Sequence, residues 1–358
     1  MTRKHHFSHV AQATAQLIFT VLQTQGPMSR AALAKHTCVS RPTVSGAIER
    51  LQEAGLVRQT SRRTQGQGRA GIIFEVASDY GLVIAVAIDA SQCQIMAKGL
   101  NNQILSQHHF LTQDLNSPAA LLQTIENNVQ SMIKTLDLPV KAMGVSLAAP
   151  VDPSTHNAVA LPLLPFKMAG KLAPKAYFEQ RLHCPVVVDN DVNWATLAES
   201  TYGAVKDERN FMCVYLGQGI GAGIFLDGRL IRGGSGLAGE LGYVPASDTL
   251  NLQDYVTLAR QQCPNLRLPD GSWSPAVKQL CRVIASAAIV VNPDKLVLTG
   301  PLCEAPELFE ALKTGVEDYL LRPLPILRSF MPSNAPVEGA AWGAYNLMLT
   351  HSHVLGSA

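Results

Sequence analysis

From residue 82 onward the chain runs through one order of elements twice, and that repeat limits the folds open to it. The apolar run Leu82-Val83-Ile84-Ala85-Val86-Ala87-Ile88 ends in Asp89, and a second strand-like run covers 94–100. Helical periodicity over 118–136, a buried-type strand over 142–147, a helix over 171–182 and a strand over 186–189 follow. The order then restarts with a strand over 211–216 and the glycine-rich turn Gly217-Gln218-Gly219-Ile220-Gly221-Ala222-Gly223. Residues 224–226 return through Asp227-Gly228, a hairpin signal, before helices over 252–262 and 276–291 and a strand over 295–298. Strands alternating with helices predict the α/β class, and two such halves predict a duplicated fold with a cleft between two lobes.

The first 75 residues read differently. Val10, Ala11, Ala13, Leu17, Ile18, Val21 and Leu22 share one helical face, and Gln25-Gly26-Pro27 ends that helix. Ser29 is placed to cap a short helix over 30–36 that buries Ala32 and Leu33. Ser40 is placed to cap a third helix with Pro42 in its first turn. The third helix turns Val44, Ile48 and Leu51 inward and stops at Gly55. Two short helices across a three-residue turn are the geometry that sets a second helix into the DNA major groove by its N-terminal residues. Here those residues are Arg41, Thr43 and Ser45, with Arg50 further along. Strands over 56–60 and 72–76 flank a basic, glycine-bearing tip with Arg62, Arg63 and Arg69, which reads as a wing for phosphates or the minor groove. The competing reading is a three-helix protein-interaction module with a linker; capping, turn length and charge favour DNA.

Charge supports the division. Residues 1–75 carry ten Lys/Arg and three acids, net +7, leaving −5 on the remainder of a 358-residue chain whose total is +2. A basic head on an acidic body suits a polyanion-binding module joined to a second unit. The seven cysteines are scattered without a C-x-x-C pair, which supports neither a disulfide framework nor a cysteine-rich zinc site. No apolar stretch reaches ~18 residues and the N-terminus lacks a signal-peptide core, so the expectation is a cytoplasmic protein with no membrane partner.

Three segments carry candidate chemistry. The glycine-rich turn offers unobstructed backbone N–H groups for phosphate, and a tight hairpin explains its glycines equally well. Asp189-Asn190-Asp191-Val192-Asn193 stands where a strand ends and a helix begins. Its acids and amides fit helix caps, and they also fit polyol recognition at the crevice of an α/β fold, with Asp191 placed to act as a base. In Gly233-Gly234-Ser235-Gly236-Leu237-Ala238-Gly239-Glu240-Leu241-Gly242-Tyr243 one acid sits among small residues, where ligand hydroxyls would satisfy it.

Together these residues resemble the ROK family of repressors and sugar kinases. Asp189-Asn190-Asp191-Val192-Asn193, with Ala195, Leu197, Ala198 and Glu199, is similar to the family's E-N-D-x-N-x-x-A-x-x-E signature. Leu216 to Ile224, Asp227-Gly228, Gly239-Glu240-Leu241-Gly242 and Gly339-Ala340-Ala341-Trp342-Gly343-Ala344 extend the match in order, over about residues 80–348. The resemblance implies a two-lobed actin-like sugar-kinase fold over 80–358, with lobe 1 about 80–195, lobe 2 about 196–340 and a C-terminal helix over 337–350. A winged helix-turn-helix over 1–75 is similar to the heads of the family's xylose and N-acetylglucosamine repressors.

The departures shape the function expected. Family kinases wrap ATP phosphates with D-x-G-G-T; this chain has Asp89-Ala90-Ser91-Gln92-Cys93, without either glycine or the threonine. Gln218 replaces the usual threonine, Thr299-Gly300-Pro301 keeps one glycine of a pair, and Ala148-Ala149 replaces a P-G turn. The family's zinc-binding His is Tyr243 here, and no cysteine follows it over 245–252, so neither zinc nor ATP is expected as a cofactor. By the resemblance Asn190, Asp191 and Glu240 are sugar contacts, with Tyr243 and Gln253 at the other two sugar-facing positions. The reading is a non-enzymatic regulator, most simply a repressor, that binds operator DNA as a homodimer or tetramer and senses a sugar or sugar derivative. A sugar kinase with Asp191 as base, and a sugar-blind regulator controlled by a protein partner, are the alternatives.

Overall fold

The computed structural model describes residues 9–63, 72–161 and 164–351. The head comprises α1 (His9–Gln25), β1 (Met28–Ser29), α2 (Arg30–Thr37), α3 (Arg41–Glu53), β2 (Val57–Arg63) and β3 (Ile72–Val76). The serines cap as the sequence implies: Ser29 Oγ accepts from Ala32 N–H at 3.2 Å, and Ser40 Oγ from Thr43 N–H at 3.3 Å. Each cap is worth about 1 kcal/mol. Ile18, Phe19, Leu33, Val44, Ile48, Leu51 and Phe74 close the core. Ala32, expected inside, is exposed, so α2 buries Leu33 alone. The wing is a sheet of order β1-β3-β2, and the two-residue β1 is an element the sequence reading lacks. The wing's tip, with Arg69, lies outside the described residues.

The body holds two five-stranded sheets of the same plan. The first contains β4 (Leu82–Ile88), β5 (Gln92–Gly99), β6 (Ile104–Leu111), then α4 (Pro118–Leu136), β7 (Val140–Leu147), α5 (Pro174–Leu182) and β8 (Val186–Asn190). After α6 (Asp191–Thr201) the second contains β9 (Phe211–Leu216), β10 (Ile220–Leu226), β11 (Arg229–Ile231), then α7 (Leu252–Gln262), α8 (Pro275–Val291), β12 (Lys295–Thr299), α9 (Pro306–Glu317) and β13 (Ile326–Arg328). The strand orders are β6-β5-β4-β7-β8 and β11-β10-β9-β12-β13. In both, the first three strands in sequence form an antiparallel meander and the last two add in parallel. The duplication read from element order therefore holds strand by strand. The glycine-rich turn is narrower than expected: only residues 217–219 turn, and Gly221 and Gly223 lie within β10. Gly223 serves helix packing, since a Cβ there would stand 1.7 Å from Thr196 Oγ1 on α6.

The lobes exchange their last helices. α6 leaves β8 of the first sheet and packs on β9 and β10 of the second. α10 (Ala335–His351) leaves the second lobe and packs on β4, β7 and β8 of the first. The two helices also pack on each other. Trp194 of α6 is buried against Gly339 and Gly343 of α10, and its Nε1 donates to Val145 O at 2.9 Å. The far end of α10 meets the head: Gln16 of α1 bonds Asn346, and Gln23 Nε2 donates to Leu100 O at 3.0 Å. One apolar cluster runs from Ile18 and Phe19 through Leu100 to Ala344 and Met348.

Candidate functional site

Between the lobes lies a cavity of about 270 Å³, and the strand and helix ends position its polar groups. β8 ends at Asn190, which caps α6: its Oδ1 accepts from Val192 N–H at 2.9 Å and Asn193 N–H at 3.3 Å. The capping reading of this residue therefore holds, and Asn190 also lines the cavity. Asp191 follows as the first residue of α6, its Oδ1 accepting from Val192 N–H at 2.9 Å. From the second lobe Glu240 enters at the start of the short 3-10 turn Leu241–Tyr243. Tyr243 and Gln253 complete the five sequence-predicted residues, and all five line the one cavity.

Burial dominates the electrostatics of the cavity's acids. Burial raises Asp191 from the ordinary carboxylate range to about 7, and the nearby Asp89 charge adds to the rise. Burial, then the charge of Asp191, likewise carries Glu240 to about 7. The Tyr243 hydroxyl is buried without a partner and is also pushed up, first by burial and then by Glu240 and Asp254. Gln253 is partly committed: its Nε2 donates to Gln218 O at 2.6 Å and to Thr257 Oγ1 at 3.1 Å, leaving its carbonyl oxygen.

Two lining residues escaped sequence reasoning as parts of this site. Asp89 Oδ1 accepts from Ser91 N–H at 2.7 Å, Ser91 Oγ at 2.7 Å and Gln92 N–H at 2.8 Å, so the loop closes on its own carboxylate. Arg260 reaches in from α7 and donates to Gly217 O at 3.1 Å, holding the hairpin turn. The aspartate terminates an apolar strand, a signal the sequence does show. Arg260 has no local signal, because only the fold brings α7 beneath residue 217.

In the head, Arg41 and Thr43 are exposed in the first turn of α3 and Ser45 is half-buried. Thr43 Oγ1 shares a hydrogen bond of 2.7 Å with Ser40 Oγ. Arg50, further along α3, is half-buried, and its Nη1 donates to Ala11 O at 3.1 Å, which ties α3 to α1. Arg62 and Arg63 close β2 at the mouth of the wing, with Arg63 opposite Ile72. Arg41→Ala is expected to weaken binding to a selected DNA site by about 1–3 kcal/mol, while binding to unrelated sequence falls much less. Equal affinity for the selected site in a fluorescence anisotropy titration would remove α3 from base recognition.

The comparisons with known proteins agree with this layout. The ROK family model matches residues 83–265, and the MarR family model matches residues 13–70. The xylose repressor of Bacillus spizizenii is 24% identical over 238 residues, covering 66% of this chain and 61% of that protein. The chain thus spans about three fifths of the length of the xylose repressors it matches. The DNA-binding transcriptional dual regulator NagC of Escherichia coli K12 is 23% identical, covering 93% of this chain and 92% of its own. Among solved structures, a ROK family transcriptional regulator homologous to the E. coli MLC protein superposes with a TM-score of 0.72 at 19% identity, covering 98% of this chain and 100% of the other. A ROK family glucokinase from Streptomyces griseus, in complex with glucose and AMPPNP, gives a TM-score of 0.61 at 22% identity, covering 74% of this chain and 100% of the other.

Proposed function

The chain belongs to the ROK family, and from that premise we propose that it is a cytoplasmic DNA-binding transcriptional regulator, a repressor of carbohydrate-metabolism genes, whose body senses a sugar or sugar derivative. The observation that carries the reading is the crossed helix pair. α6 begins at Asp191 in the cavity, and three residues later Trp194 is wedged against Gly339 and Gly343 of α10. α10 ends at the head, where Asn346 bonds Gln16 of α1. A sugar held between Asp191 and Glu240 favours one angle between the lobes, and the rigid helices carry that angle to the DNA-binding head. In a homodimer the spacing of two heads then changes against a two-fold operator. NagC is itself described as a DNA-binding regulator, and among the described residues no helix is long and apolar enough to cross a membrane.

The ATP and zinc chemistry of the family does not suit these residues. The Asp89 loop has already consumed the N–H groups of Ser91 and Gln92 that a phosphate would need. In the segment after Tyr243, Ala246 N–H donates to Leu250 O at 2.9 Å, closing a turn of residues 247–249 that has neither thiol nor imidazole. A zinc ion requires about four such donors. One observation favours the kinase alternative: a carboxylate near 7 is poised as a general base. A coupled assay with ATP and hexoses decides between them, turnover that vanishes in Asp191→Asn establishing the enzyme.

The sensing reading is tested by thermal unfolding against D-xylose, D-glucose, N-acetyl-D-glucosamine and their phosphates. A ligand at ~100 times its Kd adds about 2.7 kcal/mol, a rise in Tm of about 5–10 °C for a unit of this size. One compound should give that rise and lose it in Glu240→Ala. No rise across the panel would leave regulation to a protein partner.

A further inference from the structure

Glu240 reaches the cavity on a loop, residues 232–240, that follows β11. Small residues dominate this loop, and it forms neither helix nor strand beyond β11. A carboxylate on so pliant a segment is useful for recognition only if something fixes the segment.

The fixing contact is made at its first residue. The Arg232 guanidinium grips Oδ2 of Asp189 with two donors, Nε at 2.8 Å and Nη2 at 2.7 Å. The other oxygen, Oδ1, accepts from Asn193 Nδ2 at 2.7 Å and from Asn190 N–H at 2.8 Å. Asp189 is 4% exposed and holds four donors, so it has no capacity left for a sugar hydroxyl. Its role is to hold Arg232. The aspartate stands one residue before the end of β8 in the first lobe and the arginine follows β11 of the second, so the pair spans the lobes.

Two further contacts set the loop's course. Gly236, at φ +72°, passes so close to the first lobe that a Cβ would stand 2.2 Å from Val151 O. Near its end the loop returns to the second lobe, where Ala222 N–H donates to Gly239 O at 2.7 Å. The loop is thus a strap tied to both lobes, with Glu240 at its far end and Asp191 two residues beyond the aspartate that anchors it.

We propose that Arg232 is a positioning residue: by clamping the 232–240 strap to Asp189 it fixes Glu240 opposite Asp191, and so sets the cavity's affinity for a neutral polyhydroxylated ligand. This rests on the sugar-sensing reading above. Arg232 itself does not line the cavity, and it acts through the two donors it gives to Asp189. Lysine cannot reproduce the paired donors, so it restores the charge and only part of the geometry.

The test uses the full chain and the variants Arg232→Ala and Arg232→Lys. The first readout, amide hydrogen exchange, needs no ligand. Amides of 233–240 and of Ala222 should exchange at least tenfold faster in Arg232→Ala, with an intermediate rate in Arg232→Lys and unchanged rates in α4 and the head. Wild-type rates in the strap, or an acceleration spread evenly over the body, would overturn the proposal. The second readout is affinity for whichever of D-xylose, D-glucose and N-acetyl-D-glucosamine raises the melting temperature of the wild-type chain. Arg232→Ala should weaken it at least tenfold and Arg232→Lys less, with DNA affinity in the absence of sugar unchanged. Affinity within twofold of wild type in Arg232→Ala would overturn the proposal. If no sugar binds the wild-type chain, the sensing reading falls, and hydrogen exchange still decides whether Arg232 holds the strap.

Discussion

Asp191→Asn should melt at a higher temperature than the wild-type chain at pH 8 and bind sugar on the order of 100-fold more weakly. The two effects have one cause. Burial holds the Asp191 and Glu240 carboxyls at about 7, above their values in an unfolded chain. For a carboxyl displaced in that direction, protonation favours the folded state. The stabilisation is fully present below about pH 4 and is lost as pH rises through about 7. Above that, two charges face each other across the cavity. A tenfold change in proton affinity corresponds to about 1.4 kcal/mol, and solvent reaching these half-buried groups reduces the total. A net gain of about 1–2 kcal/mol for Asp191→Asn at pH 8 is the resulting expectation. A bound sugar reverses the account, because its hydroxyls donate to ionised carboxylates and such bonds are the stronger kind. Sugar affinity of the wild-type chain should therefore rise between pH 6 and pH 8. Removing one charged acceptor costs roughly 2–3 kcal/mol, or about 100-fold. Melting curves and calorimetric titrations at the two pH values check both halves; a lower melting temperature with undiminished affinity would contradict the account.

Gly144→Ala should cost more than 4 kcal/mol and leave the body unfolded at 37 °C. β7 and α10 touch backbone to backbone at this point. A Cβ on residue 144 would stand 1.9 Å from Ala340 O and 2.7 Å from its carbonyl carbon. No rotamer change relieves a clash with main chain, so helix and strand must separate. That separation opens the cluster shared by Val83, Ala142 and Ala344 and frees the buried ion pair of Lys98 Nζ with Glu338 Oε2, now 2.6 Å. Losses of this size come from a short list of causes, and overpacking against a fixed backbone is among them. At the low end of ordinary stability, about 5 kcal/mol, little is left afterwards. Circular dichroism of the purified variant is the check, and a melting temperature within 3 °C of wild type would show that α10 is not seated as described.

What the sequence made legible follows the kind of force involved. Uninterrupted apolar runs such as 82–88 and 211–216 are buried on both faces, so hydropathy alone announces them. Ser29 and Ser40 act on neighbours three residues away, and local spacing is enough. β6 escaped because it is an edge strand whose residues, His108 and His109 among them, are largely exposed and show no alternation. β13 is three residues long, and only its pairing with β12 makes it a strand. The same division runs through the site. Asn190, Asp191 and Glu240 stand in motifs whose order along the chain is itself the signal. Arg232 and Asp189 are 43 residues apart, and no pattern in either segment marks them as partners. Arg50 shows the same limit: it meets the local criteria for DNA contact, and its tie to Ala11 O across 39 residues has no local signal. The glycines of 217–223 left a phosphate loop and a tight hairpin equally open, and the packing of Gly221 and Gly223 against α6 was not legible, because close packing and backbone access require the same residue.

The central claim is that occupancy of the interlobe cavity changes the head's hold on DNA. Its most direct measurement is fluorescence anisotropy of the full chain on a selected operator, with and without the sugar that raises its melting temperature. Operator binding should be at least tenfold weaker at saturating sugar, a coupling within the range usual for two linked sites, and sugar should leave it unchanged in Glu240→Ala. Operator affinity that stays the same at saturating sugar would contradict the claim, since the cavity would then bind without informing the head.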